Sequence, residues 1–288
     1  RMPRNILITG ASGRLGSALT MALARQHGVS QLSLDEPDSV AQREVGPVHV
    51  GTIADTYVIA RAMEGVDAVI HCAAFPAAIP PYDRLMETNV LGTFNVLEEA
   101  GKRASVKQVI FVSSIFWHAL HERRGGQQTP RYLPINEDHP SLASGYYDTS
   151  KVLGEHLCAT FARRFRKSCV AMRPAWIIGA DLEPRFAAAP PAEGPHLNDY
   201  VGVSDLIEGV WRLLDYDPVD GFEAFLFHAA DQRSTLPSRA LVEDQYPGVR
   251  VDWEKLEACG GFGALVDCSR ARERLGWQPT FRCRRVGG

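Results

Sequence analysis

The sequence predicts an α/β fold: a doubly wound parallel sheet followed by a small C-terminal lobe. Three observations predict it. Short apolar runs alternate with helically spaced segments from Asn5 to Met172. A glycine-rich turn, Thr9-Gly10-Ala11-Ser12-Gly13-Arg14-Leu15-Gly16, stands between the first run and the first helical segment. Beyond Arg173 the alternation gives way to a stretch punctuated by Pro174, Pro184, Pro190, Pro191 and Pro195. Runs buried on both faces and separated by helices are the habit of parallel strands joined by crossovers.

The elements follow in order. Asn5–Thr9 reads as the first strand, because Ile6, Leu7 and Ile8 form an unbroken apolar run. Leu15 to Arg25 has helical spacing. Gln31 to Leu34 and Val48 to Val50 read as the second and third strands. Ala54 to Met63 reads as a helix and Ala68 to His71 as a strand. Leu85 to Arg103 reads as one long helix, followed by a strand from Gln108 to Val112. Tyr147 to Phe165 is helical, and Cys169 to Met172 closes the regular series. In the C-terminal part, Val203 to Leu214 reads as a helix, Ala224 to Phe227 as a strand and Ser269 to Leu275 as a short helix. The expected division is a dinucleotide-binding domain over residues 1–175 and a smaller lobe over 176–288, with some segments returning to the sheet. No internal repeat and no low-complexity tract is present.

Bulk properties narrow the function classes. The 288 residues are 45% hydrophobic and 23% charged, enough to bury a core. A formal charge of −3 without a long basic run argues against a general nucleic-acid binder. Cys72, Cys158, Cys169, Cys259, Cys268 and Cys283 are scattered with no Cys-x-x-Cys spacing, so neither a metal site nor a disulfide framework is expected. Reduced thiols and a cytoplasmic setting are the expectation. No stretch resembles a signal peptide or is long enough to span a bilayer. Arg1 precedes Met2 and reads as an added residue.

Gly10, Gly13 and Gly16 lie between a strand and a helix, where missing side chains let a dinucleotide pyrophosphate approach the backbone. The helix N-terminus offers free N–H groups and partial positive charge. Ser12 and Leu15 lie within the same turn, and Arg14 is placed to add a phosphate contact. Asp35 follows the second strand, about 20 residues past the glycines, where an acid usually holds the ribose hydroxyls. Asp35 and Glu36 would repel a 2′-phosphate, so NAD is favoured; Arg14 keeps NADP possible.

Tyr147 and Lys151 stand four residues apart, so a helix places them on one face. A free tyrosine titrates near 10 and is a poor base at neutral pH, and a neighbouring ammonium favours its phenolate. The phenolate can take a proton from an alcohol as hydride leaves carbon, or return it to a carbonyl. Ser113 and Ser114 close the Gln108 to Val112 strand, at the sheet edge where ligands sit in such folds. Turn capping is the plain alternative for a serine there.

These residues, together with His71-Cys72-Ala73-Ala74, Asn89-Val90-Leu91-Gly92-Thr93, Val112-Ser113-Ser114, Arg173-Pro174, Val203-Ser204-Asp205 and Leu275-Gly276-Trp277-x-Pro279, resemble the extended short-chain dehydrogenase/reductase family and its NAD-dependent epimerase/dehydratase group. The resemblance covers nearly the whole chain and implies a Rossmann domain with a small substrate-binding lobe. It implies that Ser114, Tyr147 and Lys151 are catalytic and that Asn89 supports Lys151. It also implies that Lys151 holds the nicotinamide ribose and that Thr52 and Ile53 flank the adenine. Cys72, Ala73 and Ala74 would line the cofactor, with Pro174 and Ala175 near the nicotinamide. Thr52 replaces an acid common at its position, and Trp176 stands where nucleotide-sugar enzymes usually carry asparagine.

The segment from Ala175 to Val201 is short for a nucleotide clamp and resembles the uronate dehydrogenase branch, which implies a compact substrate. Arg173 is a candidate for a substrate carboxylate, with a structural role at least as strong. Phe75, Phe116, Trp117 and Trp176 are candidates for the pocket wall. The stretch from His118 to Pro140, with His121, Arg123, Arg124, Gly125, Gly126 and Arg131, reads either as a lid or as a solvated loop, the second favoured. His71 reads as a packed core histidine and Asp205 as a helix cap or brace.

The leading expectation is an NAD(P)-dependent oxidoreductase for a small hydroxylated or carbonyl substrate, such as a sugar or sugar acid. A nucleotide-sugar epimerase or dehydratase that recycles its NAD is the alternative within the family. A non-catalytic NAD(P) sensor is the alternative outside it, because fold does not dictate function. A homodimer through the Leu85 to Arg103 and Tyr147 to Phe165 helices is a further expectation, with no nucleic acid, membrane or metal involved.

Overall fold

The computed structural model describes residues 2–75, 80–120, 129–179 and 197–282. The chain divides into two compact units. The first comprises Arg1–Ser113, Tyr146–Met172 and Leu213–Ala224; the second comprises Ser114–Gly145, Arg173–Arg212 and Phe225–Gly288. The division is therefore not a single cut near residue 175.

The first unit carries a seven-stranded sheet. Its strands are β1 (Asn5–Thr9), β2 (Gly28–Ser33), β3 (Val48–Val50), β4 (Ala68–His71), β5 (Gln108–Val112), β7 (Ser168–Pro174) and β10 (Phe222–Phe227), and the last residues of β7 and β10 belong to the second unit. Across the sheet the order is β3-β2-β1-β4-β5-β7-β10. The pairs β1–β2, β1–β4, β2–β3, β4–β5 and β5–β7 are parallel. The order reverses at β1, which lies between β2 and β4. That reversal opens a crevice at the carboxyl ends of the strands, the place where doubly wound sheets bind ligands. Ile6, Leu7, Ile8, Val69, Ile70, Val109 and Ile110 are all 0% exposed, as strands covered on both faces require.

The helices that cover this sheet start where the local chemistry allows. Helix α1 (Arg14–Leu23) is preceded by Gly13 in extended conformation with no side-chain cap, and the short α2 (Val40–Arg43) by Ser39, whose hydroxyl accepts from the Gln42 amide at 3.4 Å. Helix α3 starts at Thr56 rather than Ala54, because the Asp55 carboxylate accepts from the Tyr57 and Val58 amides at 2.9 and 3.4 Å. The helix read as continuous from Leu85 to Arg103 is in three pieces: α4 (Tyr82–Met86), a π-helical turn (Glu87–Gly92) and α5 (Thr93–Lys102). Helix α6 (Tyr146–Phe165) is uninterrupted. Gly154 brings α6 onto the sheet, since a Cβ there would lie 2.6 Å from the Phe111 ring.

The second unit packs Ile115, Leu120, Leu133, Ile135, Leu226, Leu241, Val242, Leu256 and Leu265 into a core of its own. Strand β6 (Tyr132–Leu133) pairs in parallel with β11 (Arg250–Val251), and β8 (Ile177–Ile178) with β9 (Val201–Gly202). Asp205 is a brace rather than a helix cap. Its two carboxylate oxygens accept from the Thr280 amide and hydroxyl and from the Phe281 amide at 2.8–3.1 Å, and its carbonyl accepts from buried Trp277 Nε1 at 2.8 Å.

Within the segment His118 to Pro140, His118, Leu133, Ile135 and His139 are at most 1% exposed and belong to the core, whereas Thr129, Arg131 and Asp138 are exposed. Residues 121–128, which hold His121, Arg123, Arg124, Gly125 and Gly126, lie outside the described residues.

Candidate active site

The glycine turn is shaped by three separate contacts. Gly10 has φ +69°, a conformation that side chains resist, and a Cβ there would lie 2.7 Å from the Ala73 amide nitrogen. At Gly13 a Cβ would lie 3.2 Å from the Gly10 carbonyl oxygen, and at Gly16 only 2.1 Å from it. The Gly10 and Ala11 amides donate to Leu32 O at 2.7 and 3.3 Å, which fixes the turn to the end of β2. Ser12, Gly13 and Arg14 are exposed, whereas Leu15 and Gly16 are buried. The cradle thus presents bare backbone and an uncapped helix start, which fits an anionic diphosphate.

Beside it the ends of β1 and β4 are locked together. The Cys72 amide donates to Thr9 O at 3.1 Å and the Ala73 amide to Thr9 Oγ1 at 3.3 Å. His71 bridges Thr9 and Thr93 with Nδ1···Oγ1 at 2.6 Å and Nε2···Oγ1 at 3.0 Å. Thr93 donates its own proton to Asn89 O, so it must accept from His71 Nε2–H, and His71 Nδ1 then accepts from Thr9. This leaves the imidazole neutral, and burial followed by the Lys151 charge pushes its pKa down to about 3. His71 is accordingly a fixed core strut.

The reactive pair opens helix α6. Tyr147 is half-buried, and Lys151, one turn on, is 3% exposed. Lys151 Nζ donates to Val112 O at the end of β5 at 3.1 Å and lies 5.6 Å from the Tyr147 ring centroid and 5.4 Å from that of Phe111. An ammonium that close to aromatic faces is held by their quadrupoles. Burial lowers the Lys151 pKa to about 8, with Cys72, Glu155 and Cys158 acting in the opposite sense. Burial pushes the Cys72 thiol up to about 12.

Asn89 sits in the π-helical turn, 3% exposed. Its amide oxygen accepts from the Phe75 amide at 2.7 Å, and its Nδ2 donates to Phe75 O at 3.2 Å and Ser150 Oγ at 3.1 Å. Asn89 therefore reaches Lys151 through the adjacent Ser150. The π turn is the local irregularity that accommodates this, and the Thr93 hydroxyl occupies the Asn89 carbonyl at 2.7 Å.

The first unit thus gathers Gly10, Cys72, Ala73, Asn89, Tyr147 and Lys151 at one end of the sheet. Asp35 is exposed two residues past β2, with its carbonyl held by Ser33 Oγ at 2.8 Å. Thr52 is exposed; Ile53 is buried, packs over Gly92, and has its carbonyl held by Asn95 Nδ2 at 3.2 Å. Ala74 and Phe75 are half-buried after β4.

Ser113 and Ser114 part company. Ser113 is buried and donates to Glu155 Oε1 at 2.6 Å within the first unit. Ser114, in the second unit, is 8% exposed and accepts from the Phe116 amide at 3.2 Å. Also in the second unit, Arg173 is 4% exposed, its guanidinium 3.7 Å from the Trp117 ring centroid, 3.3 Å from His118 Nε2 and 3.4 Å from Glu137 O. That packing expresses a structural part for Arg173. Pro174 and Ala175 are buried, Phe116 is half-buried, and Trp176 is 52% exposed with Arg233 stacked at 5.5 Å. Glu155 was missed in the sequence, although Tyr147, Lys151 and Glu155 repeat at intervals of four along one helix face.

The chain is similar to known proteins over most of its length. Residues 6–224 match a model described as the NAD dependent epimerase/dehydratase family. An L-arabinose 1-dehydrogenase (NAD(P)(+)) of Haloferax volcanii is 30% identical over 61% of this chain and 68% of its own length. A uronate dehydrogenase of Pseudomonas syringae pv. tomato is 26% identical over 90% of this chain and 94% of its own. A crystal structure of a short-chain dehydrogenase/reductase superfamily protein from Agrobacterium tumefaciens with bound NAD superposes with TM-score 0.74 at 23% identity, covering 97% of this chain and 93% of that one.

Proposed function

The chain belongs to the NAD-dependent epimerase/dehydratase family, and we propose that it is a dehydrogenase or reductase for a compact hydroxylated or carbonyl substrate, a free sugar or sugar acid. NAD is the coenzyme of this family, and when bound it supplies the hydride acceptor or donor. Gly10, Ser12, Gly13, Arg14, Leu15 and Gly16 would receive its pyrophosphate, and Asp35 the adenosine ribose. Thr52 and Ile53 would flank the adenine, and Cys72, Ala73 and Ala74 would line the path between. Tyr147 and Lys151 would hold the nicotinamide ribose, with Pro174 and Ala175 beside the ring.

The observation that carries the proposal is the buried Lys151 ammonium, pinned to Val112 O one turn after Tyr147 and beside the cradle-facing Cys72. In the oxidation direction the Tyr147 phenolate accepts the substrate hydroxyl proton as the C–H hydride departs. In reduction the phenol returns that proton to the carbonyl oxygen. Lys151 favours the phenolate by its charge, and the Ser114 hydroxyl orients the substrate oxygen. The short Ala175 to Val201 segment and the named relatives, which act on arabinose and uronate, support a compact substrate over a nucleotide sugar.

The test is a panel of free sugars, sugar acids and nucleotide sugars with NAD and NADP, followed at the nicotinamide absorbance band. The expected result is net NADH with a free sugar or sugar acid, and loss of turnover in Tyr147→Phe with NAD affinity nearly intact. Product isomerisation without net NADH would instead assign an epimerase. Retained turnover in Tyr147→Phe would remove the proton role.

A homodimer and a cytoplasmic setting complete the proposal. Leu91, Phe94 and Leu153 are 49%, 43% and 38% exposed beside an apolar groove lined by Met86, Val90 and Leu157, a surface suited to a second copy. The five cysteines among the described residues are free, and no described helix is long and apolar enough to cross a membrane.

A further inference from the structure

We propose that Glu155 is a positioning residue for this site: its carboxylate anchors the Ser113 hydroxyl at the end of β5 and keeps the neighbouring Lys151 amine cationic. The proposal rests on the reading of Tyr147 and Lys151 above.

Three observations carry it. Glu155 is 4% exposed, and a buried carboxylate persists only when partnered. Ser113 Oγ donates to Glu155 Oε1 at 2.6 Å, a short bond of the kind hydroxyls make to charged acceptors. Ser113 lies between Val112, whose carbonyl accepts from Lys151 Nζ at 3.1 Å, and Ser114, the proposed substrate-orienting residue. One carboxylate thus braces the strand end that holds the amine on one side and leads to the serine on the other. The same carboxylate lies one turn beyond Lys151 on the same helix, so the two side chains share a helix face.

The electrostatic surroundings leave Glu155 this role. From β4 and its continuation, Lys151 faces His71, which is neutral and held by two threonines, and Cys72, whose thiol is pushed up to about 12. From its own helix it faces Tyr147, Glu155 and Cys158, the last with its thiol pushed up by burial. Of these groups Glu155 is the one carboxylic acid, and its oxygen holds the Ser113 hydroxyl. Burial lowers the Lys151 pKa, and Cys72, then Glu155, act against it.

The test follows the Lys151 titration by NMR in coenzyme-free protein, with Lys151→Met assigning the signal. Glu155→Gln keeps the shape and the acceptor for Ser113 but removes the charge. The expected result is a Lys151 midpoint lower by about one pH unit, with the alkaline limb of kcat/KM moving by the same amount. Glu155→Asp keeps the charge and should restore most of the midpoint. An unmoved midpoint in Glu155→Gln would overturn the proposal, even with reduced activity, because a merely structural carboxylate would produce that pattern. Wild-type protein gives a measurement independent of variant folding: the Glu155 Cδ resonance should inflect at the Lys151 midpoint and lose that inflection in Lys151→Met. Tyr147→Phe run in parallel separates the two ideas. If it stays active the reading of the site fails, whereas if it is inactive and the Lys151 midpoint ignores Glu155, only the present proposal fails.

Discussion

Replacing Lys151 by Met should make the protein more stable and inactive. Burial lowers the Lys151 pKa from 10.5 to about 8, so below pH 8 the folded state carries an ammonium that water would solvate better. That drop corresponds to about 3 kcal/mol of folding free energy at pH 7. Met fills the space without the charge but leaves Val112 O without its 3.1 Å donor, at a cost of about 1 kcal/mol. The expected net gain is about 2 kcal/mol at pH 7. The sign reverses with pH. Between about 8 and 10.5 the unfolded wild type still binds the proton that the folded state has released, so wild-type stability rises with pH. The advantage of Met should shrink by about 1.4 kcal/mol per pH unit across that window. Urea unfolding of both proteins at pH 7, 8, 9 and 10, without coenzyme, measures this directly. A difference that stays constant across the series would refute the claim that Lys151 is a buried amine of lowered pKa.

Gly10→Ala should weaken NAD binding at least tenfold by calorimetry, because its φ of +69° and the 2.7 Å approach to the Ala73 amide leave no room for a methyl group. Gly154→Ala should destabilise the fold by about 1–3 kcal/mol in urea titrations, since the new methyl would push α6 off the Phe111 ring, 2.6 Å away. Asp205→Ala removes four acceptor contacts to Thr280 and Phe281, and should cost about 2–4 kcal/mol by the same assay. Leu91→Glu with Phe94→Glu should halve the molar mass measured by light scattering if the apolar surface pairs with a second copy; an unchanged mass would remove that surface from the interface.

The parallel sheet was legible because its strands are short apolar runs bounded by polar turns. Asn5–Thr9, Val48–Val50, Ala68–His71 and Gln108–Val112 stand where the pattern put them. The π-helical turn was not legible, because one extra residue per turn leaves the apolar spacing of Leu85 to Arg103 nearly unchanged. Asn89 sits in that turn, where its side chain clips Phe75 and Ser150. In the His118 to Pro140 segment the charges are conspicuous and the apolar residues sparse. Leu133 is nonetheless buried in β6 beside Arg250–Val251, and Ile135 in a bridge to Val266, each partner more than a hundred residues away. Pairing at that separation leaves no local trace. Ser113 and Ser114 could not be told apart by type; the Glu155 contact to Ser113 does that.

The chain passes between its two compact units at residues 113/114, 145/146, 172/173, 212/213 and 224/225. Neither unit is encoded by one continuous stretch. A cassette exchange of the C-terminal part would carry over residues of both units and leave 114–145 behind. Diversification of the second unit has to proceed by substitutions spread over three separated segments, and an engineer who wants to transplant it must move all three together.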